Sequence, residues 1–195
     1  MTNGKAMDDK PLTLASSDFA LFAVPERFEQ DAAALDARWK VLQREAHPDR
    51  FAAQDVAAQR QAMQWSVRIN EAYQRLKHPL KRAAYLCERA GAPVNAENNT
   101  AMPPEFLVQQ MQWREALDDA TSEADIDHLL QQVTQVRQQA LQRCGELLDI
   151  AHDPVLAVGQ VRALMFIDRF SSDVQSRLDR FQDASALAGA PGQAT

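Results

Sequence analysis

The sequence predicts an all-α protein, with an antiparallel helix hairpin followed by a three-helix bundle. Three observations carry this. Apolar residues recur at helical spacing along most of the chain, and no stretch alternates as a half-buried strand would. Glycine and proline gather in the joints between periodic stretches. One stretch, Gly91 to Pro104, holds one glycine, three prolines and three asparagines, and it separates two helical regions.

The elements follow in order. Residues 1–17 lack an apolar core and an Arg-rich, acid-poor pattern, so they read as a disordered tail rather than a targeting segment. Asp18 to Ala23 is a short apolar helix or turn that stops near Pro25. Asp31 is an expected N-cap for a helix through about Glu45, with Leu35, Trp39, Leu42 and Ala46 on one stripe. Residues 47–55 form a loop. A long helix then runs from about Val56 to Lys77, with Met63, Ile69, Tyr73 and Leu76 expected inward. His78-Pro79 disturbs it, and Leu80 to Ala90 resumes until Gly91, which is placed to cap the helix. These segments make an N-terminal domain over 18–90, and 91–104 is the linker. A helix follows Pro103-Pro104 to about Ala120. A second starts at Ser122, with Asp125 completing a variant capping box, and carries Ile126, Leu129, Leu130, Val133, Val136, Leu141 and Leu148. A third starts at Asp153-Pro154 and passes Leu178 and Phe181. The bundle spans 105–183, and 184–195 reads as a disordered tail.

The composition narrows the function. Hydrophobic residues make up 46% and charged residues 25%, as in a soluble globular protein. No apolar run approaches the roughly 20 residues of a membrane helix. Residues 18–90 hold 12 Lys/Arg against 10 Asp/Glu, a balance of +2, while residues 91–195 hold 7 against 15, a balance of −8. Neither part is basic enough for a nucleic-acid partner, and the contrast suits two different protein partners. Cys87 and Cys144 each sit in a helical pattern far apart in the chain, as buried thiols of a reduced, cytoplasmic protein would. No metal or cofactor is expected. Asp118, Asp119, Asp125 and Asp127 lack the spacing of a calcium loop and read as solvated helix ends. His78, His128 and His152 have no neighbouring ligand set, and Trp39 and Trp65 read as packing residues.

Two constellations remain. His47-Pro48-Asp49-Arg50 lies in the loop of the helix hairpin. Pro48 fixes its own φ and drives His47 out of the helical region, so the preceding helix must end there. The loop then presents a His/Asp tip, and Arg38, Lys40 and Arg44 are expected on a solvated basic face beside it. Phe106 to Asp119 carries the other signal. Phe106, Gln110, Trp113 and Leu117 form one helical stripe, and Leu107, Val108 and Met111 form a second, continued by Gln112, Glu115 and Asp119. A three-helix bundle needs one buried stripe per helix. The surplus stripe is either a second packing surface or a binding face, apolar at its start and acidic further on.

The loop tripeptide between two antiparallel helices resembles the J-domain family. The opening DFALFAVP, the loop HPDRF, INEAYQRLKHPLKRAAYL and FLVQQMQWREALDD are together similar to the HscB family, J-domain co-chaperones of iron–sulfur cluster assembly, over about residues 18–181. The resemblance implies a J-domain and a scaffold-binding bundle. It also implies a DnaK-type chaperone partner, HscA, whose ATPase the chain stimulates, and a cluster scaffold, IscU, which it delivers. It implies chaperone contacts by His47, Pro48, Asp49, Arg50, Arg38, Lys40 and Arg44, and scaffold contacts by Leu107, Val108, Met111, Gln112, Glu115, Asp119 and Phe166. Ala46 stands where many J-domains have tyrosine, and Gln112 replaces an acid common at that place. Two rivals are weaker. An enzyme using His47 and Asp49 as an acid–base pair would need a pocket to tune them. A general J-protein for unfolded chains would carry Gly/Phe-rich or cysteine-rich segments. No catalytic residue is expected.

Overall fold

The computed structural model describes residues 11–95 and 104–188. Parts of the expected tails and linker, residues 1–10, 96–103 and 189–195, lie outside the described residues. Among those described, every regular element is helical. They are α1 (Asp18–Phe22), α2 (Ala32–Glu45), a 3₁₀ turn (Pro48–Phe51), α3 (Val56–Lys77), α4 (Pro79–Arg89), α5 (Pro104–Asp119), α6 (Glu123–Gly145), a π turn (Glu146–Ile150) and α7 (Pro154–Ala188). The chain forms two compact units that divide between Arg82 and Ala83, inside α4.

The first unit is built on α2 and α3. Asp31 caps α2 by accepting from the amides of Ala33 at 2.8 Å and Ala34 at 3.1 Å, and Asp55 caps α3 through the Ala58 amide at 2.8 Å. Each such cap is worth about 1 kcal/mol. Ala23, at φ 53°, turns the chain out of α1 into the left-handed region. Phe19, Leu21, Phe22, Phe28, Leu35 and Leu76 fill the core. Met63 does not join them: it is 60% exposed, and Ala62 is buried in its place. The helical repeat puts Ala62 near the direction of Ile69, seven residues on, while Met63 points about 120° away from Ile69.

The buried Asp18 carboxylate meets Arg68 at 2.6 Å and Arg75 at 2.9 Å. Arg68 also donates to the carbonyls of Leu14 at 3.0 Å and Ser16 at 2.8 Å. The sequence reading puts residues 14–17 in a loose tail, whereas this arginine ties them to α3.

In the second unit Ala83, Leu86 and Cys87 of α4 are buried. Gly91, at φ 78°, closes α4: its amide reaches the Glu88 carbonyl at 3.0 Å and that of Ala92 the Cys87 carbonyl at 2.9 Å. Ser122 and Asp125 form the expected reciprocal capping box of α6. The helix pair α6 and α7 supplies most of the core, with Ile126, Val133 and Cys144 of α6 and Val161, Leu164 and Ile167 of α7 all buried. Across it Arg137 Nε pairs with Asp168 at 2.6 Å. The sequence expects the second bundle helix to carry Leu148, but α6 ends at Gly145 and a π turn follows, in which Leu147 is buried, Leu148 half-buried and Ile150 77% exposed. The last helix also outruns the expected bundle end at residue 183, reaching Ala188.

Candidate functional site

The hairpin tip is fixed from both sides. Leu42 and Ala46 bury the end of α2. His47 then turns extended, at φ −63° and ψ 126°, and Pro48 opens the 3₁₀ turn, where its missing N–H costs nothing. Arg50 donates through a terminal guanidinium nitrogen to the Arg44 carbonyl at 3.3 Å, tying the loop back to α2. Gln59 of α3 donates to the carbonyls of Ala52 at 3.2 Å and Gln54 at 3.1 Å, tying its other side. What remains free points outward. The His47 side chain is 56% exposed and that of Asp49 90%. His47 Nδ1 accepts from the Asp49 amide at 3.3 Å and lies 3.5 Å from Asp49 Oδ2. Both of these contacts are to Nδ1, so the far nitrogen is the ring atom left to face a partner.

The helices behind the tip are locked together. The Trp39 ring stacks on Tyr73 at 4.8 Å, and Trp39 Nε1 and Gln43 Nε2 both donate to Asn70 Oδ1, at 3.0 and 2.7 Å. Tyr73 donates its hydroxyl proton to Asp36 at 2.7 Å, and Lys77 reaches the same carboxylate at 3.1 Å. The Tyr73 hydrogen bond, then Lys77, holds the Asp36 carboxyl below its ordinary range. Lys40 and Arg44, one turn apart, share an exposed face of α2. Arg38 does not join it. Two residues correspond to about 200° of helix, so it points away from Lys40, and it is half-buried with its Nε shielded from solvent.

In the second unit, α5 separates its two stripes. Phe106 and Trp113 are buried, and Gln110 and Leu117 half-buried. Leu107, Val108 and Met111 are 48%, 57% and 73% exposed, and Gln112, Glu115 and Asp119 are exposed after them. The surplus stripe therefore faces outward along its whole length. Phe166 of α7 is half-buried at the border of α5. Its ring meets Phe106 edge-on at 5.7 Å and stacks on Phe170 at 5.9 Å, while Trp113 stacks on Phe170 at 5.6 Å. The guanidinium of Arg114 lies 5.7 Å over the Phe166 ring.

Sequence reasoning singles out neither Asn70 nor Arg114. Asn70 becomes a hub only when α2 and α3 pair, and Arg114 only when α7 brings Phe166 beside it. No group of three metal-ligating side chains occurs among the described residues. Burial pushes the Cys87 thiol up to about 11 and that of Cys144 up to about 12. Among the described residues no helix is long and apolar enough to cross a membrane.

Over residues 102–175 the chain matches the family described as the HSCB C-terminal oligomerisation domain. A co-chaperone protein HscB homolog from Burkholderia multivorans is 46% identical over 174 residues, 88% of this chain and 99% of that relative. One from Cupriavidus taiwanensis is 48% identical over 168 residues, 85% of this chain and 95% of the relative. The solved chaperone HscB from Vibrio cholerae is 32% identical with a TM-score of 0.75, covering 85% of this chain and 99% of that one. Human co-chaperone protein HscB, at 24% identity and a TM-score of 0.75, shares the fold. With relatives this similar along nearly their whole length, and an N-terminal J-domain followed by a helical bundle, the chain belongs to the HscB family of co-chaperones.

Proposed function

We propose that this co-chaperone stimulates the ATPase of an HscA-like, DnaK-type chaperone and delivers an IscU-like iron–sulfur scaffold to it. The observation that carries the reading is the exposed His47/Asp49 tip, held by Arg50 and Gln59 so that its polar groups face solvent. The J-domain, residues 18–90 in this reading, docks through His47, Pro48, Asp49 and Arg50, with Lys40 and Arg44 steering approach and Arg38 at the margin. The bundle, residues 105–183, binds scaffold through Leu107, Val108, Met111, Gln112, Glu115, Asp119 and Phe166. The 91–104 linker joins the two activities in one chain.

The mechanism is tethering plus triggering. Scaffold held on the bundle gains effective concentration at the chaperone without any new contact. The tip has differential affinity for the chaperone's hydrolysis-competent state, and this biases the equilibrium. The ATP chemistry stays in the chaperone. The chain itself acts in the cytoplasm as a non-enzymatic adaptor; a His/Asp pair this open to water lacks the enclosure that acid–base catalysis exploits.

The test is synergy. Steady-state ATPase of the chaperone is measured with this chain alone, with scaffold alone and with both. Stimulation by both together should exceed the product of the separate effects. A merely multiplicative result would remove the adaptor role.

A further inference from the structure

The outward stripe of α5 does not end at its own helix. Between α5 and α7 runs a groove of about 450 Å³ lined by Arg114, Leu117 and Asp118 on one side and Phe166, Arg169 and Asp173 on the other. Its floor is the Phe166–Phe170 stack. Arg114 borders the stripe directly: seven residues after Leu107, it sits about 20° from it around the helix. It is the one cation in α5, whose exposed remainder turns acidic through Glu115, Asp118 and Asp119.

The charges in this groove have unspent capacity. Arg114 and Arg169 are both exposed, and among the described residues neither has a carboxylate within 4.0 Å, although Asp118 and Asp173 line the same groove. Among the described residues Arg114 lies over the Phe166 ring, 5.7 Å from its centroid. A guanidinium near an aromatic ring can still offer its N–H groups, which bind a carboxylate in two parallel bonds. Other arginines of this unit spend theirs internally: Arg137 on Asp168, Arg143 on Glu146 and Arg162 on the Val94 carbonyl.

We infer that the scaffold-docking surface continues past Phe166 into the α5–α7 groove, where Arg114 and Arg169 receive a carboxylate of the bound scaffold protein. This rests on the α5 stripe being the scaffold face. Beyond its apolar start at Leu107, Val108 and Met111, the surface then divides sideways, with Glu115 and Asp119 on one flank and Arg114 and Arg169 beside Phe166 on the other, where Asp118 and Asp173 border the groove. Such polarity fixes the register of the partner, because a reversed approach sets like charges together. Arg114 has a second role as a positioning residue, holding the Phe166 ring.

The test is calorimetric titration of the full chain with metal-free scaffold protein at low and physiological salt. Arg114→Gln should weaken binding roughly fivefold, and Arg114→Gln with Arg169→Gln roughly tenfold or more. Arg114→Lys should recover part of the loss, since a lysine keeps the charge but not the fork. In the double variant the salt dependence of Kd should become shallower. A comparison pair, Leu107→Ala with Met111→Ala, should weaken binding with unchanged salt dependence. If that pair loses affinity while the double arginine variant binds as the wild type, the groove contact is overturned and the stripe stands. If the arginine variants weaken binding with an unchanged salt slope, they act through Phe166 packing, and the carboxylate contact is overturned. Wild-type binding by the leucine/methionine pair would overturn the stripe and the groove with it.

Discussion

Arg68 holds Asp18 at 2.6 Å, and the Asp18 side chain is 1% exposed. One ion pair thus joins the start of α1 to the middle of α3, and the same arginine gathers Leu14 and Ser16. Removing one member of a buried pair strands the other charge. Asp18→Ala should therefore destabilise the J-domain by about 3 kcal/mol or more. Urea unfolding followed by Trp39 and Trp65 fluorescence would measure it. A loss below about 0.5 kcal/mol would mean that the pair is structurally idle.

Acid should find a weak point at Asp36. Its carboxyl is held below the ordinary value of 3.8, first by the Tyr73 hydroxyl and then by Lys77. A lowered folded-state value means stabilisation that is full above the unfolded value and lost as pH falls through the folded one. The window is thus below about pH 4. Tyr73→Phe removes the largest cause, so the Asp36 carboxyl should titrate closer to its ordinary range in carbon-detected NMR. No movement would assign the depression to Lys77 instead.

Association with the chaperone should slow with ionic strength if the α2 face steers it. Lys40→Ala and Arg44→Ala should each lower the on-rate several-fold at low salt. Arg38→Ala should lower it less, because that side chain is half-buried on another side of the helix. Stopped-flow association at several salt concentrations decides it. A flat on-rate would make docking apolar.

The positions of Arg38 and Met63 show where sequence reading fails. A cation close to other cations in sequence reads as one face, yet two residues along a helix are nearly opposite. Met63 is large and apolar, so it outbid the smaller Ala62, which the helical repeat puts inside. Caps were legible because they are local: Asp31, Gly91 and the Ser122–Asp125 box depend on spacings of a few residues. The grip of Arg68 on Leu14 spans 54 residues, and nothing in the local pattern announces it. The same holds for Arg114, whose partner Phe166 arrives from another helix. The second stripe on α5 was legible as a surplus over the one stripe that a bundle needs, whereas its outward direction emerges only in the structure.

That stripe should bind without supporting the fold. Leu107→Ala and Met111→Ala remove exposed side chains, so each should change stability by less than about 0.5 kcal/mol. Each should weaken scaffold binding by about 1–2 kcal/mol. Phe166→Ala should do both, since its ring also packs on Phe106 and Phe170. Thermal unfolding and titration with scaffold, run on the same samples, separate the two effects. A leucine or methionine variant that unfolds would make the stripe structural.

The central claim is that the outward tip of the hairpin triggers the chaperone. Single-turnover hydrolysis of chaperone-bound ATP, with wild-type chain or His47→Gln, measures this directly. The exposed histidine contributes little to the fold, so the variant should keep its helical circular dichroism. The wild type should accelerate hydrolysis, with or without scaffold. His47→Gln should leave the rate at its basal value, even at concentrations that saturate scaffold binding, and Asp49→Asn should follow it. A folded His47→Gln chain that accelerates hydrolysis as well as the wild type would contradict the account.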